Sequence, residues 1–291
     1  MVRARLGLRT KVVAVVLVLV VSVVAAVGLG FKAHAALACT PVLTSKGTLS
    51  TAAMNAPSGS TIDASGCDIG DYIFTSQSVS SVTVHDATYY GIFVDGGGAL
   101  STGPITVSIT GAKIYNIGDH TGACTAPTTS TACTFHATGS QHGIGLRFDS
   151  GVGSAAHAVY GTVATSNIYS YQKGGIVVNY NSNVTTIGNL ITGLGPADFI
   201  AQNGIQYSRG AVGTIRGNTV SGNFYTGQQG VLADGTSCGP GHPVSTCPPG
   251  RLYVSVGLLL FDIDPNNIHR SQNDLSNNQR PALVITDSPT G

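Results

Sequence analysis

Six short segments open with glycine and continue with alternating aliphatics: Gly91 in GIFVD, Gly143 in GIGLR, Gly175 in GIVVN, Gly204 in GIQYS, Gly230 in GVLAD and Gly257 in GLLLF. Ala282 in ALVIT is a seventh, with alanine in the glycine's place. From Gly143 onward the steps are 32, 29, 26, 27 and 25 residues, and the 52 residues from Gly91 to Gly143 read as two such steps. A fixed period of this size marks a polypeptide that winds in stacked turns, each too thin to bury its own apolar face. Within most periods a second phrase follows, an Asn two residues before a hydrophobic residue: Asn167 before Tyr169, Asn189 before Ile191, Asn218 before Val220 and Asn273 before Leu275. Asn tolerates a left-handed backbone at a tight bend, and its amide hydrogen-bonds to backbone or to the Asn of the next turn, forming a ladder.

Composition agrees with strands rather than helices. Gly occurs 39 times and only 9% of residues are charged. Gly costs roughly 1 kcal/mol in a helix relative to Ala, whereas Val, Ile, Thr and Tyr prefer strands. The expected fold is all-β, a solenoid of parallel strands in a single domain after an N-terminal export signal.

The pattern Gly-Ile-x-Val followed by Ile-x-Gly-Asn-x-Val-x-Gly resembles the right-handed parallel β-helix repeats of the pectate-lyase-like superfamily, particularly secreted actinobacterial members without an assigned activity. The resemblance runs from about Tyr89 to Thr286. It implies the fold and leaves the function open, because that superfamily holds lyases, hydrolases, epimerases, tailspikes and proteins of no known chemistry.

At the N-terminus Arg3, Arg5, Arg9 and Lys11 precede an apolar run from Val12 to Phe31, followed by Ala33-His34-Ala35. This is the layout of an export signal over residues 1–35, with an uncleaved membrane anchor as the alternative for so long a run. Removing it leaves nine Lys and Arg against 13 Asp, a net charge of −4 without a basic cluster. Nucleic acid is therefore not an expected partner. All six cysteines lie in the exported part, and pairing between neighbours is expected: Cys39 with Cys67, Cys124 with Cys133, Cys238 with Cys247. Residues 36–88 then form an N-terminal cap and first coils, with a short helix at Ser50–Asn55. Residues 89–291 form the β-helix, with Cys-closed loops at 124–133 and 238–247.

The protein has no Glu, so carboxylate chemistry falls to Asp. Residues at one offset from each ladder glycine stand about 4.8 Å apart on successive turns. Offsets four to six collect Asp95, Arg147, Asp149, Asn179, Asn181, Arg209, Asp234 and Asp262, with Asp264 close by. Arg209, Asp234 and Asp262 are expected on three consecutive coils, and Asp234, Asp262 and Asp264 are the candidate ligands for Ca2+. The resemblance implies an Arg or Lys base that removes the proton α to a uronate carboxylate; Arg209, Arg147 and Lys173 are eligible. His142, in SQHGIG, resembles the Gly-His-Gly of polygalacturonase-like hydrolases, with Gln141 in place of the first glycine. Tyr169 and Tyr207 fall at offsets expected to face the core. Two functions compete: an exported protein that acts on or binds extracellular polysaccharide, as a lyase on uronate-containing glycans if catalytic, or a noncatalytic surface or matrix protein. The C-terminal end shows no cap, so a homo-oligomeric contact or partner is expected there.

Overall fold

The computed structural model describes residues 38–118, 142–153, 156–197, 200–225 and 254–286. Strands are numbered in order along the sequence. Sheet A has nine: β1 (Thr40–Thr44), β2 (Gly47–Met54), β4 (Ile69–Ile73), β7 (Tyr90–Asp95), β10 (Ile144–Asp149), β13 (Gly174–Asn179), β16 (Asn203–Ser208), β19 (Val256–Phe261) and β21 (Arg280–Ile285). Sheet C runs through β5 (Gln77–Ser80), β8 (Ile105–Thr110), β11 (Val159–Ala164), β14 (Ser182–Ile187), β17 (Val212–Arg216) and β20 (Ile268–Ser271). Sheet B runs through β3 (Thr61–Asp63), β6 (Thr83–His85), β9 (Lys113–Ile117), β12 (Asn167–Tyr171), β15 (Leu190–Ala197) and β18 (Thr219–Tyr225). From β4 to β20 the backbone visits sheets A, C and B in turn. Every pairing is parallel except that of β1 with β2, so the molecule is a parallel β-helix with a hairpin at its start.

The core is one continuous stack of aliphatic rungs. Ile92, Leu146, Ile176, Ile205 and Leu258 of sheet A face Ile114, Ile168, Ile191 and Val220 of sheet B, all at or below 2% exposure. The glycine column beside them runs Gly91, Gly145, Gly175, Gly204 and Gly257 by strand register. None of these has a positive φ. They are glycine for space: a Cβ on Gly91 would lie 2.5 Å from the carbonyl oxygen of Gly145, and one on Gly145 would lie 2.5 Å from Ile168 Cγ2.

The Asn ladder stands where sheet C turns into sheet B. The Asn189 amide donates to Asn218 Oδ1 at 2.8 Å, and the Asn218 amide donates to Asn273 Oδ1 at 3.0 Å. Each also donates to a backbone carbonyl, Val163 and Thr186 respectively. In the coil below, Ser166 takes the rung and Asn167 stands one residue farther along, on sheet B.

Four expectations are corrected. The second glycine rung is Gly145, because Ile144 pairs with Tyr90 and Leu146 with Ile92, which moves Gly143 out of the strand. β7 pairs directly with β10, so the stretch from Gly91 to Gly145 is one coil with a long insertion rather than two coils. Likewise β16 pairs directly with β19, so no strand stands between them in sheet A; Gly230 lies outside the described residues. Ser50–Asn55 is not helical, since Gly47–Met54 is a strand that pairs with both β1 and β4. Cys39 and Cys67 are joined as expected, with Cα atoms 5.6 Å apart. Cys124, Cys133, Cys238 and Cys247 lie outside the described residues.

Candidate functional site

The outer face of sheet A carries polar side chains in vertical columns. Asp95, Asp149, Asn179 and Ser208 occupy one column on four successive strands, and Phe93, Arg147, Val177 and Gln206 occupy the next. Over the first coils this face is covered by the β1–β2 hairpin. Val42 packs with Ile69, Tyr72, Tyr90 and Phe93, and the tip of the hairpin reaches two coils further: Ser45 N donates to Asp95 Oδ2 at 2.8 Å, and Lys46 Nζ to Asp149 Oδ2 at 2.9 Å.

Arg147 and Asp149 are therefore together, yet closed. Arg147 Nη2 and Nε donate to Asp149 Oδ2 at 2.6 and 3.1 Å, and Gly151 N donates to Oδ1 at 2.9 Å. The guanidinium also lies 5.3 Å from the centroid of Tyr90. Burial works against the charge on Asp149, and Arg147 with Lys46 outweigh it, holding the carboxyl below its ordinary range. Asp95 is likewise saturated, by Ser45 N, Gly97 N and the hydroxyl of Tyr72. An ionised carboxylate with its oxygens occupied and an Arg fixed by it are poor proton acceptors; their geometry is that of a buried ion-pair network.

At the edge where sheet B feeds into sheet A stand His142 and Lys173. The ring of His142 stacks on Tyr89 at 4.5 Å, and Lys173 Nζ donates to the carbonyl of Ala201 at 2.9 Å. Burial pulls the Lys173 ammonium down to about 8. At the opposite edge, where sheet A turns into sheet C, stand Tyr180, Arg209 and Asp262. A six-residue strand separates the two edges, a span of roughly 20 Å. The expected catalytic residues thus fall into three places: Lys173 and His142 at the entry edge, Arg147 in the covered middle, Arg209 at the exit edge.

The exit edge turns on left-handed residues that are not glycine. Tyr180, Arg209 and Asp262 follow one another on adjacent coils, with φ of 56°, 57° and 53°. The left-handed residue of the turn from sheet C to sheet B is Gly at Gly111, Gly188 and Gly217 and a smaller or uncharged polar residue at Ser81, Thr165 and Gln272. Bulky residues pay for this conformation where glycine would not. Arg209 and Asp262 are exposed, and Arg209 Nη1 donates to the Tyr180 hydroxyl, with its guanidinium 5.4 Å from the ring centroid. Lys46 Nζ lies 4.9 Å from the same centroid. Arg209 and Asp262 are direct neighbours, since Ser208 pairs with Phe261; Asp234 lies outside the described residues. Asp264 is nearby in sequence, but its Oδ1 caps the short 3-10 turn Pro265–Asn267 by accepting from Asn266 N at 2.9 Å.

Two groupings went unread in the sequence. On sheet B, Asp63 and His85 share a column, and Asp86 follows His85; one ligand atom from each of the three falls within 4.8 Å of the others. Above His85 stand Tyr115 and Tyr169, ring on ring at 5.1 Å and 5°. Tyr169 is thus on the outer face and not in the core, while Tyr207 is buried as expected. The signal for both lay in the spacings of 22, 30 and 54 residues along this column, which only the true strand register exposes.

No curated protein and no solved structure matches the sequence. One family model does: that described as the right handed beta helix region matches residues 72–240. That match spans more than half of the 291 residues and takes in the strands from β5 to β18, so the protein belongs to the right-handed β-helix family.

Proposed function

We propose that the protein is an exported, noncatalytic β-helix that binds extracellular polysaccharide along the exit edge of sheet A. The observation that carries this reading is the run of Tyr180, Arg209 and Asp262 in left-handed conformation. A side chain held where glycine is cheaper is kept for what the side chain does. The three present an aromatic ring, a guanidinium fork and a carboxylate on adjacent rungs, the mixture of planar hydrogen-bonding groups and ring surface that suits a hydroxyl-rich polymer. The noncatalytic part rests on the saturation of Arg147, Asp149 and Asp95.

The test is retention of the full-length protein on gels cast with uronate-containing and with neutral polysaccharides. Arg209→Gly removes the side chain and suits the backbone, so it should fold at least as well as the parent and lose retention about tenfold or more. Retention equal to the parent's would overturn the binding edge. The lyase reading is favoured by one observation, the exposed Arg209 beside Asp262. It predicts a rise in ultraviolet absorbance on uronate polymers, with or without Ca2+, that Asp262→Asn abolishes. We expect no such rise.

A further inference from the structure

The outer face of sheet B carries, at its lower end, three metal-ligating side chains that no part of the polysaccharide reading uses. Asp63 on β3 stands directly below His85 on β6, and Asp86 follows His85 at the end of that strand. We infer that Asp63, His85 and Asp86 form a site for a divalent first-row metal ion of the zinc type.

The donor set is one imidazole nitrogen and two carboxylates. Imidazole suits zinc and its neighbours, whereas an oxygen-only set would suit Ca2+ or Mg2+. The atoms are already gathered. Asp86 Oδ2 lies 2.7 Å from His85 Nδ1, Asp63 Oδ1 lies 3.9 Å from it, and each residue has a ligand atom within 4.8 Å of those of the other two. Each of the three is oriented from outside the trio. The His85 ring is stacked on Tyr115 at 5.1 Å and 18°, which fixes the imidazole plane. Asp86 Oδ1 accepts from the amide of Asn116, one coil above. Asp63 Oδ1 accepts from Ser65 N and Oγ at 3.0 and 2.6 Å. Such outer partners orient ligands and raise affinity.

Charge points the same way. The buried Asp149 is matched by Arg147 and Lys46. Among the described residues Asp86 has no Lys or Arg partner; its bonds go to His85 and Asn116. With the imidazole bound through Nδ1 and its proton on Nε2, the carboxylates of Asp63 and Asp86 would balance the charge of a divalent cation. The side chains of Asp63, Asp86 and His85 are 50%, 32% and 17% exposed, so the ion has a path from solvent and room to keep water in its remaining positions.

Calorimetric titration of the chelator-treated full-length protein with Zn2+ tests this. The parent should bind one equivalent more than the His85→Gln/Asp86→Asn double variant, whose far-ultraviolet circular dichroism should match the parent's. Equal stoichiometry overturns the site, and the difference separates it from any zinc held by cysteines elsewhere. Asn116→Ala, which removes only the brace on Asp86, should weaken that equivalent about tenfold. A second readout needs no substitution: paramagnetic Co2+ added to the parent should shift and broaden the ring resonances of His85 and Tyr115. If those rings stay unmoved while Co2+ binds, the assignment fails.

Discussion

Asp71 shows what a single residue costs this core. It shares a column with Ile92, inside the coil, and is fully buried. Its Oδ1 accepts from Ala56 N at 3.1 Å, while Oδ2 has no hydrogen-bond partner. Burial pushes its carboxyl up to about 6 from 3.8. Well below pH 4 the group is protonated in both the folded and the unfolded state and costs nothing through ionisation. As pH rises the unfolded state ionises first, and the folded state loses relative stability until about pH 6, beyond which the deficit is constant at about 3 kcal/mol at most. Asp71→Asn keeps the bond from Ala56 and removes the ionisation. Urea unfolding should find the variant more stable than the parent near pH 7 by up to about 3 kcal/mol, with the gap closing near pH 4. A gap independent of pH would refute the ionised-carboxyl account. The buried Arg147–Asp149 pair is legible in the sequence as two residues at the right offset. Their silence as chemistry is not, because the neutralising ammonium of Lys46 comes from a hairpin far away in the sequence.

Among the elements, the β1–β2 hairpin decides how much of sheet A is open. Its root is tied by Cys39–Cys67, and its length is tied by Ala99 N to Leu43 O at 3.0 Å and by the bonds of Ser45 and Lys46. Cross-linking residues 28 apart in sequence is worth about 3 to 4 kcal/mol in the loop-entropy picture. Cys39→Ser/Cys67→Ser should lose about that much in denaturant unfolding, and amide exchange at Ser45 and Ala99 should accelerate more than at Ile176 in the stack. Uniform acceleration would mean that the hairpin is no separate unit. The hairpin shows where sequence reading ends. The Asn ladder and the glycine column are local and repetitive, so their period reveals the coil. A strap is laid down once, and TAAMN carries helix formers without announcing that its neighbours TPVLT and IGDYI pair with it. The insertions misled for a related reason: the distance from Gly204 to Gly230 equals an ordinary coil, and GVLAD looks like a rung although β19 takes that place.

For the whole molecule, strand register places both long insertions at one edge. The stretch after Gly118 and the stretch after Tyr225 each leave from the end of a sheet B strand and return at the start of a sheet A strand. The second is clasped at its base: Tyr225 N and Ser255 N both donate to Gln279 Oε1, at 3.0 and 2.9 Å, so the two nitrogens stand within about 6 Å of each other. Four Gly-Ser residues reach roughly 13 Å and close that gap with ease. Replacing residues 226–253 with such a linker should leave the circular dichroism of the coil and its thermal midpoint close to the parent's; collapse of either would show that the segment is needed to hold β16 against β19. The amide oxygen of Gln279 would hold the two ends of the neck together whatever joins them. A foreign peptide spliced between Tyr225 and Ser255 would then ride on the coil as cargo, changed at will while its carrier stays the same.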